Sequence, residues 1–124
     1  MSVPILKQGE YLIASIQSEL SDADLLKLRD DLVRRVSDFR TKGVIVDVTV
    51  LDVMDSFATR TLRAMAHMIM LRGAETIIVG IQPEVAFSMV QLGLKLEGVE
   101  TALDLEEGLE LLDRRTKGDN RLGR

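Results

Sequence analysis

Residues 44–62 with Gly43 in front, GVIVDVTVLDVMDSFATRTL, place a buried strand, an acidic turn and a helix start in immediate succession. Val44, Ile45, Val46 and Val48 are apolar and β-branched, the make-up of a strand covered on both faces. Such a strand must be sheltered by helices, and the connections that supply them make neighbouring strands parallel. After the turn, Asp55 and Ser56 precede Ala58, Leu62, Met65, Ala66 and Ile69, apolar at helical spacing. Asp and Ser both cap helix N-termini, because their oxygens accept backbone N–H groups that have no partner within the helix. A hydroxyl at that point also lies where donors and the helix dipole favour negative charge, so a phosphate is well tolerated. Ser56 is therefore a candidate switch residue.

The rest of the chain repeats the alternation. Residues 5–7 and 11–17 flank a Gln8-Gly9-Glu10 turn and read as a β-hairpin. Ser21-Asp22-Ala23-Asp24 is a helix entry, followed by Leu25, Leu28, Leu32, Val36 and Phe39 at spacings of three and four. That helix is expected to stop near residues 41–43, with Gly43 in the left-handed cap conformation. The helix after Ser56 should run to about Arg72 and end at Gly73. Residues 76–79 form another buried strand, closed by Gly80, and Pro83 suits the first turn of a helix carrying Val85, Ala86, Met89, Val90 and Leu92. A weak strand at 99–102 precedes a last helix with Leu105, Leu109 and Leu112. The expected fold is α/β, a mixed and mainly parallel sheet with an N-terminal hairpin and about four helices. In such sheets ligands and partners meet the carboxyl ends of the strands, here residues 47–56 and 80–83.

At 124 residues the chain is long enough for one domain and too short for two. No apolar run approaches the roughly 20 residues that span a bilayer, and the N-terminus lacks the basic and apolar regions of a secretory signal. Without cysteine there is neither a disulfide framework nor a thiolate metal site, so the expected location is the cytoplasm. A net charge of −4 argues against nucleic acid as a partner. The charge is unevenly spread: residues 1–113 hold 11 basic and 19 acidic side chains, residues 114–124 five basic and one acidic. The domain is expected to cover residues 1–115, with 116–124 a basic tail that frays.

The search for catalytic chemistry is mostly negative. His67 is the one histidine and has no His or Cys partners for a zinc site. Ser56 and His67 would be separated by about 16 Å on one helix, which excludes a triad with Asp55. No phosphate-cradling glycine loop is present. Asp47, Asp52 and Asp55 are the one enzyme-like group, able on paper to hold Mg²⁺ as receiver domains do. A receiver also needs an acidic pair after its first strand and a lysine after its last, and neither is found. No catalytic residue, cofactor or metal is therefore expected. Among the methionines of the central helix, Met65 falls on the core face, whereas Met68 and Met70 point elsewhere and offer a surface for self-association.

The succession of hairpin, helix, DVTVLDVMDSFATRTL, ETIIVGIQPEV and a final helix resembles the STAS domain of bacterial anti-sigma factor antagonists over residues 3–115. The Asp55-Ser56 pair matches the family's phosphoacceptor motif. Common antagonists have glycine two residues after the serine, where this chain has Ala58. The segments IVDVTVLDVMDSF, IIVGIQPEVAFSMVQLGL and VETALDLEEGLELL look similar to the RsbS-type scaffolds of the stressosome, single-domain proteins that begin almost directly with their first strand. The resemblance implies a non-enzymatic scaffold that assembles with an RsbR-type paralogue and sequesters an RsbT-type switch serine kinase. It further implies that Ser56 is phosphorylated to release the kinase and reset by an RsbX-type phosphatase. Asp52, Asp55, Thr59 and Arg60 would then form the partner surface around Ser56. Ser88 matches a threonine acceptor of the paralogues and is a second candidate, although a helical serine often only bonds its own turn. The alternative implied is a small soluble antagonist that binds an anti-sigma kinase directly. Either way the protein would act in stress-signal transduction.

Overall fold

The computed structural model describes residues 3–122, with side chains through residue 117. The elements are β1 (Ile5–Gln8), β2 (Tyr11–Ser15), α1 (Asp22–Phe39), β3 (Gly43–Asp47), α2 (Ser56–Leu71), β4 (Glu75–Val79), α3 (Pro83–Gln91), β5 (Glu100–Ala102) and α4 (Leu105–Leu122). The strands lie in their chain order in one sheet. β1 pairs antiparallel with β2, and every later pairing is parallel, with Ile13 opposite Ile45 and Ile45 opposite Ile77. The expected mixed sheet with its N-terminal hairpin and four helices is the one found.

Alternation along the strands separates two cores. Leu12, Ala14, Val44, Val46 and Ile78 face α1, α2 and α3, meeting Leu28, Leu32 and Val36, then Leu62, Met65 and Ile69, then Val85 and Met89. Tyr11, Ile13, Ile45, Ile77 and Val79 face the other way and are covered by α4 through Leu112. Two glycines let that cover come close. A Cβ at Gly43 would lie 2.7 Å from a Leu112 methyl, and one at Gly108 would lie 2.7 Å from Val79 Cγ1. Gly43 is therefore a strand residue with a packing role and not the cap of α1. The left-handed position falls instead on Arg40, at φ 51°, whose N–H reaches the Val36 carbonyl. Entry to α1 is the capping box expected, with Ser21 Oγ accepting from Asp24 N–H and Asp24 accepting from the Ser21 N–H.

α4 continues to Leu122, past the boundary at which composition suggests an irregular tail. Helical partners carry it on: the Thr116 hydroxyl donates to the Leu112 carbonyl, and Lys117 lies 3.5 Å from Asp113. Arg115 reaches Glu75 and Glu100, tying the same helix to the starts of β4 and β5. None of the helices, among the described residues, is long and apolar enough to cross a membrane.

Tyr11 latches α4 to β2, its hydroxyl donating to Asp113 Oδ1 at 2.5 Å with Thr116 Oγ1 at 3.0 Å. The bond from Tyr11 holds Asp113 below its ordinary value of 3.8. Burial first, and the bond to Asp113 second, push Tyr11 above 10.0. The signs fix the pH dependence. The contribution of Asp113 is present above its ordinary carboxylate value and is lost as pH falls through the lowered one. That of Tyr11 is present below its ordinary phenol value and is lost as pH rises through the raised one. Tyr11→Phe should therefore lower the urea midpoint most near neutrality and least at both extremes. Urea titrations across pH check this, and a parallel offset at every pH would contradict it.

Candidate functional site

The carboxyl ends of β3 and β4 carry a loop, residues 48–55, that is anchored at three-residue intervals. Val48, Leu51 and Met54 are buried, while Val50, Asp52 and Val53 between them and Asp55 after them are exposed. Its start is an Asx-type turn in which Asp47 Oδ1 accepts from the Thr49 N–H at 2.9 Å and the Thr49 hydroxyl at 2.6 Å. Gln82 closes over it, donating to the Thr49 carbonyl at 2.6 Å and reaching Asp52 Oδ1 at 3.4 Å. From the other side Glu19 accepts from the Asp52 N–H at 2.9 Å. Gly80 completes the clamp at φ 83°, since a Cβ there would press on the Thr49 side chain and lie 3.2 Å from Asp47 Oδ1.

At the end of this loop Asp55 is the N-cap of α2. Its Oδ1 accepts from the Ala58 N–H at 2.8 Å, and its carbonyl takes the first helical bond, from Thr59. Ser56 is the first helical residue; its side chain is exposed and makes no hydrogen bond among the described residues. Of the two residues able to cap, Asp55 does so and Ser56 is left available. Asp55→Ala should therefore cost about 1 kcal/mol, whereas Ser56→Ala should stay within roughly 0.5 kcal/mol. Chemical denaturation of the two variants separates them, and an equal loss would mean that the serine shares the cap.

Asp52, Asp55, Ser56 and Arg60 share the exposed start of α2 and its loop. Thr59 does not. It is 1% exposed and its hydroxyl has no hydrogen-bond partner among the described residues, since it shares a helix face with buried Leu62 three residues on, as well as with Ser56 three residues back. The partner surface expected around Ser56 therefore loses Thr59. Ser88 is exposed on α3, beside a shallow depression lined by Pro83, Glu84 and Phe87 that shares no residue with the Ser56 loop. His67 is exposed midway along α2, and Met65 is buried where Met68 and Met70 are not. Among the described residues no three acidic or histidine side chains are grouped as a metal ligand set.

Next to the loop is a cleft of about 100 Å³, floored by Leu20, Leu25, Leu51 and Leu62 and rimmed by Glu19, Asp22 and Asp55. Gln82 belongs to the 80–83 turn expected at this edge, though with no role of its own, and Glu19 is not singled out by the sequence. The one available signal was position, since both follow a strand at the same sheet edge.

Residues 2–108 match the STAS domain family. The chain belongs to it. This STAS domain resembles the RsbS protein of Moorella thermoacetica, solved with a serine-to-glutamate substitution, at 34% identity over 91% of this chain and 96% of that one, TM-score 0.79. A chain from the molecular architecture of the stressosome, described as a signal integration and transduction hub, is 33% identical over 92% of this chain and 99% of its own, TM-score 0.75. A curated relative is the RsbT co-antagonist protein RsbRA of Bacillus subtilis (strain 168), 29% identical over 108 residues, or 84% of this chain. The STAS domain spans 38% of the length of RsbRA and 40% of that of a second co-antagonist, RsbRD.

Proposed function

We propose that this STAS domain is a non-enzymatic phospho-switch scaffold of a cytoplasmic stressosome. In this reading it assembles with an RsbR-type paralogue, sequesters an RsbT-type serine kinase and releases it once Ser56 is phosphorylated. An RsbX-type phosphatase restores the serine. The observation that carries the reading is the Ser56 hydroxyl, exposed and unbonded at the first residue of α2, on a loop clamped from both sides. Likeness to RsbS and to a stressosome chain supports the choice of a scaffold.

A phosphoryl group would add a charge of about −1.5 to −2 beside helix N–H groups that have no intrahelical acceptor. Those donors and the dipole offset repulsion from exposed Asp52 and Asp55. The fold would stay intact, and the change would lie in the charge and bulk shown to the partner. Incubation with an RsbT-type kinase and ATP, followed by mass-spectrometric mapping, tests this. Stoichiometric phosphate on Ser56 with cooperative unfolding retained is expected. Stoichiometric phosphate on Ser88, or loss of cooperative unfolding, would overturn it. Particle mass with the paralogue present separates a scaffold from a free-standing antagonist.

A further inference from the structure

α2 carries no carboxylate. Its 16 residues, SFATRTLRAMAHMIML, hold Arg60, Arg63 and His67 as their charged or titratable side chains. On α1 and α4, by contrast, cations find acidic partners one turn away. Lys27 and Arg34 each lie 3.6 Å from Asp31, and Lys117 lies 3.5 Å from Asp113. Arg63 turns to the loop before β5, where its guanidinium donates to the Lys95 carbonyl at 2.8 Å. Arg60 is exposed, and its guanidinium makes neither an ion pair nor a hydrogen bond among the described residues.

The placement of Arg60 is as unusual as its isolation. The positive end of the helix dipole lies at Ser56, so a cation one turn in sits toward the terminus that disfavours it. On a helix the neighbours of position 60 are the residues three and four away: Ser56, Phe57, Arg63 and Ala64. Of these, Ser56 alone can become an anion. Its Cβ is one turn back on the same face, roughly 5–6 Å from that of Arg60, and both side chains stand in water. An anion at the first position with a cation four residues on is also the favourable order along a helix. The loop carboxylates are turned to other donors: Asp55 Oδ1 accepts from the Ala58 N–H, and Gln82 approaches Asp52 Oδ1 at 3.4 Å.

We infer that Arg60 is the internal counter-ion of a phosphoryl group on Ser56, folding back along α2 to clasp its oxygens through the guanidinium fork. The inference rests on the phospho-switch reading and adds the residue that answers the modification. Phosphorylation then changes the edge in two ways at once. It adds a charge of about −1.5 to −2. It also withdraws Arg60, the cation of the exposed group formed with Asp52, Asp55 and Ser56, from a partner covering that edge. Before modification the guanidinium can meet a carboxylate of the partner; afterwards it is occupied.

Phosphoserine placed at position 56 of the full chain during translation, with no kinase involved, tests the pairing. The second ionisation of the phosphoryl group, followed by phosphorus NMR, reports the charge beside it. A guanidinium favours the dianion; Asp52 and Asp55 oppose it and the α2 N–H groups favour it in every variant. Arg60→Gln should therefore raise that pKa by a few tenths of a unit. Arg60→Lys should keep most of the shift, and Arg63→Gln should leave the pKa unmoved. The Arg60 Nε–H signal should move along the same titration, and both effects should shrink as salt is added. The same pKa in the parent and Arg60→Gln chains would overturn the inference. So would an equal rise in Arg63→Gln, which would mean a diffuse field and not a contact. The phospho-switch reading fails differently, if the kinase leaves Ser56 unmodified or stays bound to the modified chain. Neither of those results touches the pairing, and loss of the pairing leaves the switch standing.

Discussion

Ser56→Glu is expected to bind a switch kinase about 10- to 100-fold more weakly than the parent chain, whereas Ser56→Ala should hold it as tightly. The size follows from where the charge is placed. Position 56 is exposed beside Asp52 and Asp55, so a third carboxylate concentrates like charge on the proposed kinase surface. Folding should be spared, because glutamate in the first turn of a helix lies favourably in the dipole and Asp55 keeps the cap. Titration calorimetry with the purified kinase reads both variants, with thermal melts run alongside. Equal affinity for the alanine and glutamate forms would mean that charge at this position is not the signal.

The largest stability loss is expected from Leu112→Ala, about 2–5 kcal/mol against the 5–15 kcal/mol typical of a whole domain. Leu112 is the one fully buried apolar side chain on α4 among the described residues, and its methyls fill the space left by Gly43. Removing them leaves a cavity under a helix otherwise held to the sheet by the Tyr11 latch and the exposed ion pairs of Arg115. The face bearing Ile13, Ile45, Ile77 and Val79 would then open more readily than the face under α1 and α2. Urea unfolding should show the lowered midpoint, and hydrogen exchange should quicken first in α4. A loss below about 1 kcal/mol would show that the site collapses around the smaller residue.

Most of the fold was readable because period and punctuation agreed. β-branched runs at 44–46 and 76–79 and leucines at 25, 28 and 32 left few alternatives. The errors arose where a residue type serves two purposes. Gly43 reads as a helix cap, but its missing side chain accommodates Leu112 from a helix far along the chain, and Arg40 takes the left-handed position. Thr59 reads as a surface neighbour of Ser56 by proximity in sequence, yet the helical turn carries it inward. At the candidate site Asp55 and Ser56 were legible from capping chemistry alone. The clamp was not, since Glu19 and Gln82 each reach loop residues 33 positions away, a pairing that only the parallel register creates.

That clamp bears on the timing of any signal written at Ser56. A loop tied down by Asp47, Gln82 and Glu19 has little room to relax after a charge is added or removed. Response time would then be governed by phosphoryl transfer and partner dissociation, with no slow rearrangement of the scaffold in between. Nor would such a loop carry hysteresis under the proposed cycle: after hydrolysis of a phosphoryl group the edge would be as it was, and a second stimulus would meet no refractory period.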